Sequence, residues 1–353
     1  MKVLILTQVV DETHSNLGFF CGWIKTISKQ VDSLTVICLE RGQHNLPENV
    51  NILSLGKEEG CSRLKYIARL YRYVWRERKN YDAVLVHMNH IYVLLCGILW
   101  RLQGKRIVLW YAHGCVPWNL PLALFLANAV ATSTSSGFRL ASGKVHVIGQ
   151  AIDTDIFLPR PERLSRRTPT LLYVGRIARI KHLETIISAA DILVQSEHSL
   201  SVLIAGAPLT EDDTRYQDEL VAEIATRNIT GYVEFVGPLV HNRVANFLQN
   251  GDILVNTSTT GSLDKTMAEA MACGVPVVTC NVAYQEVFGA GFERYFFEAG
   301  NAQALARQIA RYLALTMDEK EKISKIVRTI VLRDHNIIAF SRKIAMLLRG
   351  EYE

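Results

Sequence analysis

The 353-residue sequence lacks a disulfide frame. Its seven cysteines (Cys21, Cys38, Cys61, Cys96, Cys115, Cys273 and Cys280) are odd in number and contain no CxxC pair, which argues for reduced thiols and against a zinc site. It also lacks a strong charge of one sign. Lys and Arg number 39 against 34 Asp and Glu, a formal net charge of +5, too small to argue for nucleic acid as a partner. No hydrophobic run is long enough to cross a bilayer. The longest, IYVLLCGILW, stops at Trp100, whereas a spanning helix needs about 20 residues. The opening MKVLILTQVVDETHSN has no small-residue cleavage site, so it reads as a first strand and not as a signal peptide. No GxGxxG turn follows that strand, which argues against a simple Rossmann dehydrogenase. A cytoplasmic protein is expected, at most peripheral on the inner face of the cell membrane.

What is present is an alternation. Short apolar runs occur at 2–7, 34–39, 50–55, 83–87, 106–111, 129–133 and 145–149 in the first half. In the second half they occur at 170–175, 201–206, 233–237, 253–256, 275–279 and 295–298. Helical patterns separate most of them. Continuous apolar strands between helices imply parallel sheets buried on both faces, hence a doubly wound α/β fold. The length favours two such domains. DTDIFLPRPERLSRRTP, with three prolines and a cluster of arginines, reads as the linker over 153–169. The expected division is therefore 1–152 for a first Rossmann-like domain and 170–335 for a second.

In open α/β sheets, ligands sit beyond the carboxyl ends of the strands, so the residues after each strand carry the functional argument. Asn16 and Gly18 follow the first strand, His87 ends AVLVH, and His113 follows RIVLWY. In the second half Arg176 and Lys181 follow LLYVG; they are either a solvated basic loop before an amphipathic helix or, given their place at a strand end, fixed cations that suit a diphosphate. The stretch TSTTGSLDKTMAEAMACGVPVVTC places a hydroxyl-rich loop before a helix expected over Lys265–Cys273, with Ser262 or Asp264 as its cap and Gly274 as its stop. Glu269 lies one turn inside. It is either a surface partner of Lys265 or a buried carboxylate, for which a ribose diol would be a partner. Asp153-Thr154-Asp155, or His87 with His90, could be read as metal ligands. The first sits in the linker and the second has no evident third ligand, so neither is taken as a metal site.

Four pieces in order, LLYVGRIARIKHLETII, SVLIAGAP, VEFVGPLVHNRVANFL and GSLDKTMAEAMACGVPVV, resemble the retaining GT-B glycosyltransferases of glycosyltransferase family 4, the group 1 glycosyltransferases. The AHG at 112–114 and VIGQAIDTDIF match the first domain and its exit. The resemblance covers essentially the whole chain, strongly in the second half and weakly over 8–105. It implies two Rossmann-like domains facing a central cleft, with the C-terminal helix (336–353) packing back on the first. The reaction implied is transfer of a sugar from a nucleotide sugar to an acceptor hydroxyl with retention, the departing phosphate taking the acceptor's proton. The resemblance thus implies that no metal and no cofactor are needed. By the same resemblance Arg176 and Lys181 bind the donor diphosphate, and Glu269 holds the ribose as the second glutamate of Glu-x7-Glu. Gly175, Gly237 and Leu239 lie near the nucleotide, the last two near the base. Gly261, Ser262, Leu263, Asp264, Lys265 and Thr266 line the donor sugar and phosphate. His113 stands at the reacting sugar, and Gly18 near the phosphates. His113, with Arg176 and Lys181, makes up the expected catalytic set, and Asn16, His87 and His113 the acceptor side.

One departure stands out. The first motif glutamate is replaced by Gly261, and Asp264 replaces a glycine, which bears on the donor sugar more than on the reaction type. A UDP-sugar is expected, a GDP-sugar being the alternative. The acceptor is expected to be a glycan or lipid-linked acceptor in bacterial cell-surface polysaccharide synthesis. A sugar-nucleotide epimerase and a non-catalytic partner subunit of the same fold are the competing readings. Residues 62–79, SRLKYIARLYRYVWRERK, form a basic helix with Leu64, Ile67, Tyr71, Val74 and Trp75 at helical spacing. That pattern fits an anionic membrane surface, or an ordinary helix whose apolar side is core.

Overall fold

The computed structural model describes residues 1–14, 17–160, 168–289 and 293–352. The chain divides into two units, Met1–Asp153 with Asp334–Glu353, and Thr154–Arg333.

The first unit is built on a seven-stranded parallel sheet of order β3-β2-β1-β4-β5-β6-β7. Its strands are β1 (Lys2–Val10), β2 (Ser33–Arg41), β3 (Val50–Ser54), β4 (Ala83–His87), β5 (Arg106–Trp110), β6 (Ala129–Thr132) and β7 (Val145–Val147). Between them run α1 (Phe19–Ser28), α2 (Arg63–Arg76), α3 (Ile91–Leu102) and α4 (Leu120–Leu126). β1 is central because its apolar residues have partners on both edges: Val3 pairs with Leu34 on one side and Ala83 on the other. Alternate side chains of the strands enter two cores. Val3, Ile5, Leu85 and Val108 face α1 and the C-terminal helix. Leu4, Leu6, Val86 and Leu109 face α2, α3 and α4.

The second unit has a five-stranded parallel sheet of order β10-β9-β8-β11-β12. Its elements are β8 (Thr170–Val174), α5 (Leu183–Gln195), β9 (Ser201–Ala205), α6 (Glu211–Thr226), β10 (Val233–Gly237), α7 (His241–Gln249), β11 (Ile253–Asn256), α8 (Lys265–Ala272), β12 (Val277–Thr279), α9 (Ala283–Phe288) and α10 (Ala302–Leu313). Then α11 (Met317–Asp334) leads to α12 (Ile337–Arg349). Asn336 caps α12 by accepting from Ile338 N and Ala339 N at 2.8 and 3.2 Å. Phe340 packs its ring 4.4 Å from Trp23 of α1.

Several details differ from the sequence reading. The first strand continues to Val10, so Gln8–Val10 are not loop. Residues 295–298 form no strand; Phe296 makes only an isolated bridge to Thr279. Part of the presumed linker groups with the second unit, where Phe157 is fully buried and its carbonyl accepts from Arg328 at 3.0 Å. The remainder, 161–167, lies outside the described residues. The seven cysteines are free, and burial pushes the Cys38, Cys96 and Cys273 thiols up to about 12.

Contrary to the expectation for the acceptor side, His87 does not line an open strand end. It is buried, stacked on Phe20 at a centroid separation of 4.0 Å, with Nδ1 3.1 Å from Thr7 Oγ1. Burial alone pushes its pKa down to about 3, against an ordinary value near 6.5. Between these values the unfolded chain binds a proton that the native chain does not. Stability from this group is therefore intact above about pH 6.5 and falls as pH drops toward 3, by at most about 1.4 kcal/mol per unit. Unfolding titrations of the wild type and His87→Gln at pH 4–8 should show a difference that is flat above pH 7 and shrinks below 6.5. A pH-independent difference would reject the buried neutral ring.

Candidate functional site

The polar residues of the second unit gather at the carboxyl ends of β8, β11 and β12. β8 ends at Val174, and the loop after it carries Gly175 and Arg176. A 3-10 turn, Arg179–Lys181, follows, and His182 in the left-handed region (φ 50°) joins it to α5. The helix therefore starts at Leu183, and Lys181 stands on a tight turn before it.

Lys181 Nζ donates to Ser258 Oγ at 3.2 Å and pairs with Asp264 Oδ1 at 3.0 Å. The Lys181 carbonyl accepts from the Thr257 hydroxyl, which ties the turn to the loop after β11. Asp264 occupies the N-cap position of α8, yet its side chain makes no cap. Both of its oxygens are engaged elsewhere, Oδ1 by Lys181 and Oδ2 by Asn256 Nδ2 at 2.9 Å. Ser262 does not cap either; its hydroxyl lies 3.3 Å from that of Thr260, which is 3.2 Å from that of Ser258. This line of hydroxyls leads to the helix start, where backbone N–H groups and the dipole favour an anion. Thr266 Oγ1 reaches the Val174 carbonyl at 3.3 Å, fixing the first turn of α8 to the end of β8. Leu263 is buried beneath the loop.

Arg176 is held from outside the loop. Its Nε and Nη2 donate to Asp213 Oδ2 at 3.0 and 2.7 Å. Asp213 also accepts from Leu209 N and Thr210 N, as part of the capping box of α6. Burial works to raise the Asp213 carboxyl, but Arg176 and these N–H groups outweigh it and hold it below its ordinary value. Asp213 is not reached by reading strand ends, although Thr210-x-x-Asp213 is visible in the sequence as a capping box. Asn256, Ser258 and Asn281 likewise carry no motif that marks them. Asn281 Nδ2 donates to the Ser262 carbonyl at 2.7 Å and braces the loop from below.

Glu269 is buried, and its partner is Lys265, one turn back on α8. Of the two sequence readings, the ion pair is present but not at the surface. Lys265 Nζ also lies 5.7 Å from the Phe157 ring centroid. Gly237 ends β10 with φ +78°, and half-buried Leu239 follows before α7.

Gly261 has φ +67°, the left-handed region that disfavours an L side chain. The glycine at the position of the missing glutamate is thus demanded by this loop's own path. Gly261→Glu should destabilise the protein by about 1 kcal/mol, read as a lower Tm, and should not improve donor binding. A raised Tm would show that the loop re-forms around a side chain.

In the first unit, Gly18 opens α1 in a tight turn. A Cβ there would lie 2.8 Å from the Glu12 and His14 carbonyl oxygens. His113 is exposed, and its Nδ1 accepts from Cys115 N at 3.0 Å, so the neutral ring carries its proton on Nε2. Asn16 lies outside the described residues. His90 bonds Asn119 through Nε2 at 2.7 Å, apart from His87, and among the described residues no group of three or more His, Cys, Asp or Glu is placed to hold a metal ion. A cavity of about 510 Å³ lies at the opposite, amino ends of β11 and β12, lined by Asp252, Val275 and Arg328, away from these groups.

Residues 156–329 match the family described as glycosyl transferases group 1. That segment, just under half of the chain, is similar to the group 1 glycosyl transferases. It holds all of the donor-side residues above except Gly18. Among curated relatives, a D-inositol 3-phosphate glycosyltransferase of Catenulispora acidiphila is 30% identical over 152 residues, 40% of this chain and 35% of that protein. WcaL of Escherichia coli, named as a candidate colanic acid biosynthesis glycosyltransferase, is 26% identical over 59% of this chain and 51% of its own. The chain thus spans between a third and about half of the length of these relatives. Anabaena Alr3699/HepE, solved with UDP, superposes with a TM-score of 0.81 at 19% identity, covering 99% of this chain and 100% of its own. Each of the two units has the parallel-sheet, Rossmann-like fold found in such proteins.

Proposed function

We propose that the protein is a glycosyltransferase. It moves a sugar from a nucleoside diphosphate sugar to a hydroxyl of a glycan or lipid-linked acceptor, with retention and without a metal ion. The observation that carries the reading is Lys181, fixed against Ser258 and Asp264 at the start of α8, with Arg176 on the same loop. Two cations, a row of hydroxyls and a helix N-terminus suit a diphosphate leaving group, whose charge grows as the glycosidic bond breaks. The proton of the acceptor hydroxyl passes to that phosphate. Glu269 takes the ribose hydroxyls, with Lys265 paired to it one turn back on α8. His113 lines the acceptor side.

The relatives' names support glycosyl transfer, the UDP in the HepE structure supports a UDP-sugar, and the WcaL name supports a role in cell-surface polysaccharide. A protein acting on such acceptors works in the cytoplasm at the inner face of the membrane, where α2 would meet anionic lipid.

The test is thermal stabilisation by UDP-, GDP-, TDP- and ADP-sugars with EDTA present. Saturation near 100 Kd adds about 2.7 kcal/mol, so one nucleotide should raise Tm clearly and Lys181→Met should abolish the shift. No shift with any of them would overturn the donor site, and a shift that EDTA removes would overturn metal independence. Release of free sugar without an acceptor would favour an epimerase instead.

A further inference from the structure

The first unit is uneven in charge. Residues 62–128 contain ten Lys or Arg against two acids, Glu77 and Asp82, in a chain whose total is only +5. From 83 to 152 there is no Asp or Glu at all. The same stretch carries large apolar side chains that the fold leaves in water. On α2, Leu64 is 80% exposed, and Ile67, Tyr71 and Trp75 are exposed beside it. On α3, Leu102 is 82% exposed and Ile98 also projects. Trp118, just before α4, is 91% exposed, and Phe125 on α4 is 71% exposed.

These helices are neighbours. All three bury their inner sides in one core. α3 packs on α4, and Tyr71 Oη of α2 donates to the Leu95 carbonyl of α3 at 2.8 Å. Core packing accounts for Leu70 and Val74 of α2 and leaves the outer apolar row unexplained. Exposed apolar side chains on neighbouring helices mark an interaction surface, where scattered single ones would not.

We infer that this three-helix face docks on an anionic lipid bilayer, with Trp118 and Phe125 entering the interface and the cations of α2 and α3 at headgroup level. Charge selects the occupant. The cores of protein interfaces are depleted in charge, whereas helices that lie in a membrane surface combine Trp, Phe and Leu with Lys and Arg. Arg63, Lys65, Arg72 and Arg101 are exposed among these apolar groups, and anionic headgroups attract each of them. The Arg78 guanidinium lies 4.5 Å from the Trp75 ring centroid, so an apolar body and a charged tip are offered together at one level. Among the described residues no helix is long and apolar enough to cross a membrane, so these helices would lie in its surface. The inference takes the membrane side of the function proposed above further, from α2 to a face of three helices, and its test does not depend on glycosyl transfer.

The experiment is co-sedimentation of the full chain with vesicles of phosphatidylcholine alone or with about one third phosphatidylglycerol. Binding is expected only to the anionic vesicles. It should weaken between about 0.1 and 1 M salt, as the screening length falls from about 10 to 3 Å. Trp118→Ser/Phe125→Ser should lower the partition coefficient about tenfold or more, and Arg72→Glu/Arg101→Glu should lower it severalfold. All four side chains are exposed, and circular dichroism checks that the variants fold. No binding to anionic vesicles overturns the inference, as does equal binding to neutral ones. A dimer that Trp118→Ser/Phe125→Ser dissolves, without vesicle binding, overturns it in favour of a second copy. Vesicle binding without any nucleotide response would instead reject the glycosyl-transfer reading and leave the docking face standing.

Discussion

Arg176→Ala is expected to lower turnover by about 10²–10³-fold with an unchanged circular dichroism spectrum. The side chain is 43% exposed and anchors no core, so its removal leaves the fold alone. What is lost is a guanidinium held in place before the ligand arrives. Asp213 Oδ2 takes both Nε and Nη2, and Asp213 is itself fixed by backbone N–H groups of α6. A preset cation stabilises charge developing on the leaving phosphate without reorganising at the moment of reaction. Asp213 is then a positioning residue. Asp213→Asn keeps an oxygen for the α6 cap and weakens only the hold on Arg176, so about a tenfold loss is expected, mainly in kcat. Steady-state rates with the donor found by thermal stabilisation provide the check. Near-normal turnover of Arg176→Ala would remove it from the site. An equal loss in both variants, with normal folding, would mean that Asp213 does more than position.

Lys265→Met should be the most destabilising change in the second unit. Glu269 keeps only 4% of its side chain in water and Lys265 only 16%, so the pair is internal. Removing one partner of a buried pair leaves a carboxylate without its counter-charge, at a cost of about 3–5 kcal/mol. At about 2–4 °C per kcal/mol for a domain of this size, Tm should fall by roughly 10 °C. Replacing both partners, as Lys265→Met/Glu269→Leu, should recover most of that loss, because apolar pairs of similar volume fill such sites without desolvating charge. The double variant also tests the pair as a donor contact: it should fold and yet lose nucleotide affinity. If Lys265→Met melts like the wild type, the carboxylate has another partner or takes up a proton. If the double variant binds nucleotide normally, the ribose is held elsewhere.

Much of the fold follows from local pattern. KVLILT, AVLVH and TLLYV are continuous apolar runs between helices, and only burial on both faces of a parallel sheet accommodates them. Twelve of the proposed runs are strands for that reason. The pattern failed where tertiary contact outweighs periodicity. YFFE has the composition of a strand, but no neighbouring strand extends far enough to pair with it beyond one bridge.

Which residues reach the strand ends is legible along the chain: Arg176 and Lys181 after β8, and the hydroxyl loop after β11. Chain order and a 3.6- or 2-residue period are enough for that. What each side chain does there depends on how distant segments pack together. Asp264 looks like a cap in sequence and is instead the counter-ion of Lys181, because a turn 83 residues earlier in the chain passes beside it. Asp213 looks like an ordinary capping-box residue and is the anchor of Arg176, 37 residues away. His87 looks like a strand-end ligand and is a neutral core residue, because α1 lays Phe20 across it. Burial and pairing depend on partners distant along the chain, and periodicity carries no information about those.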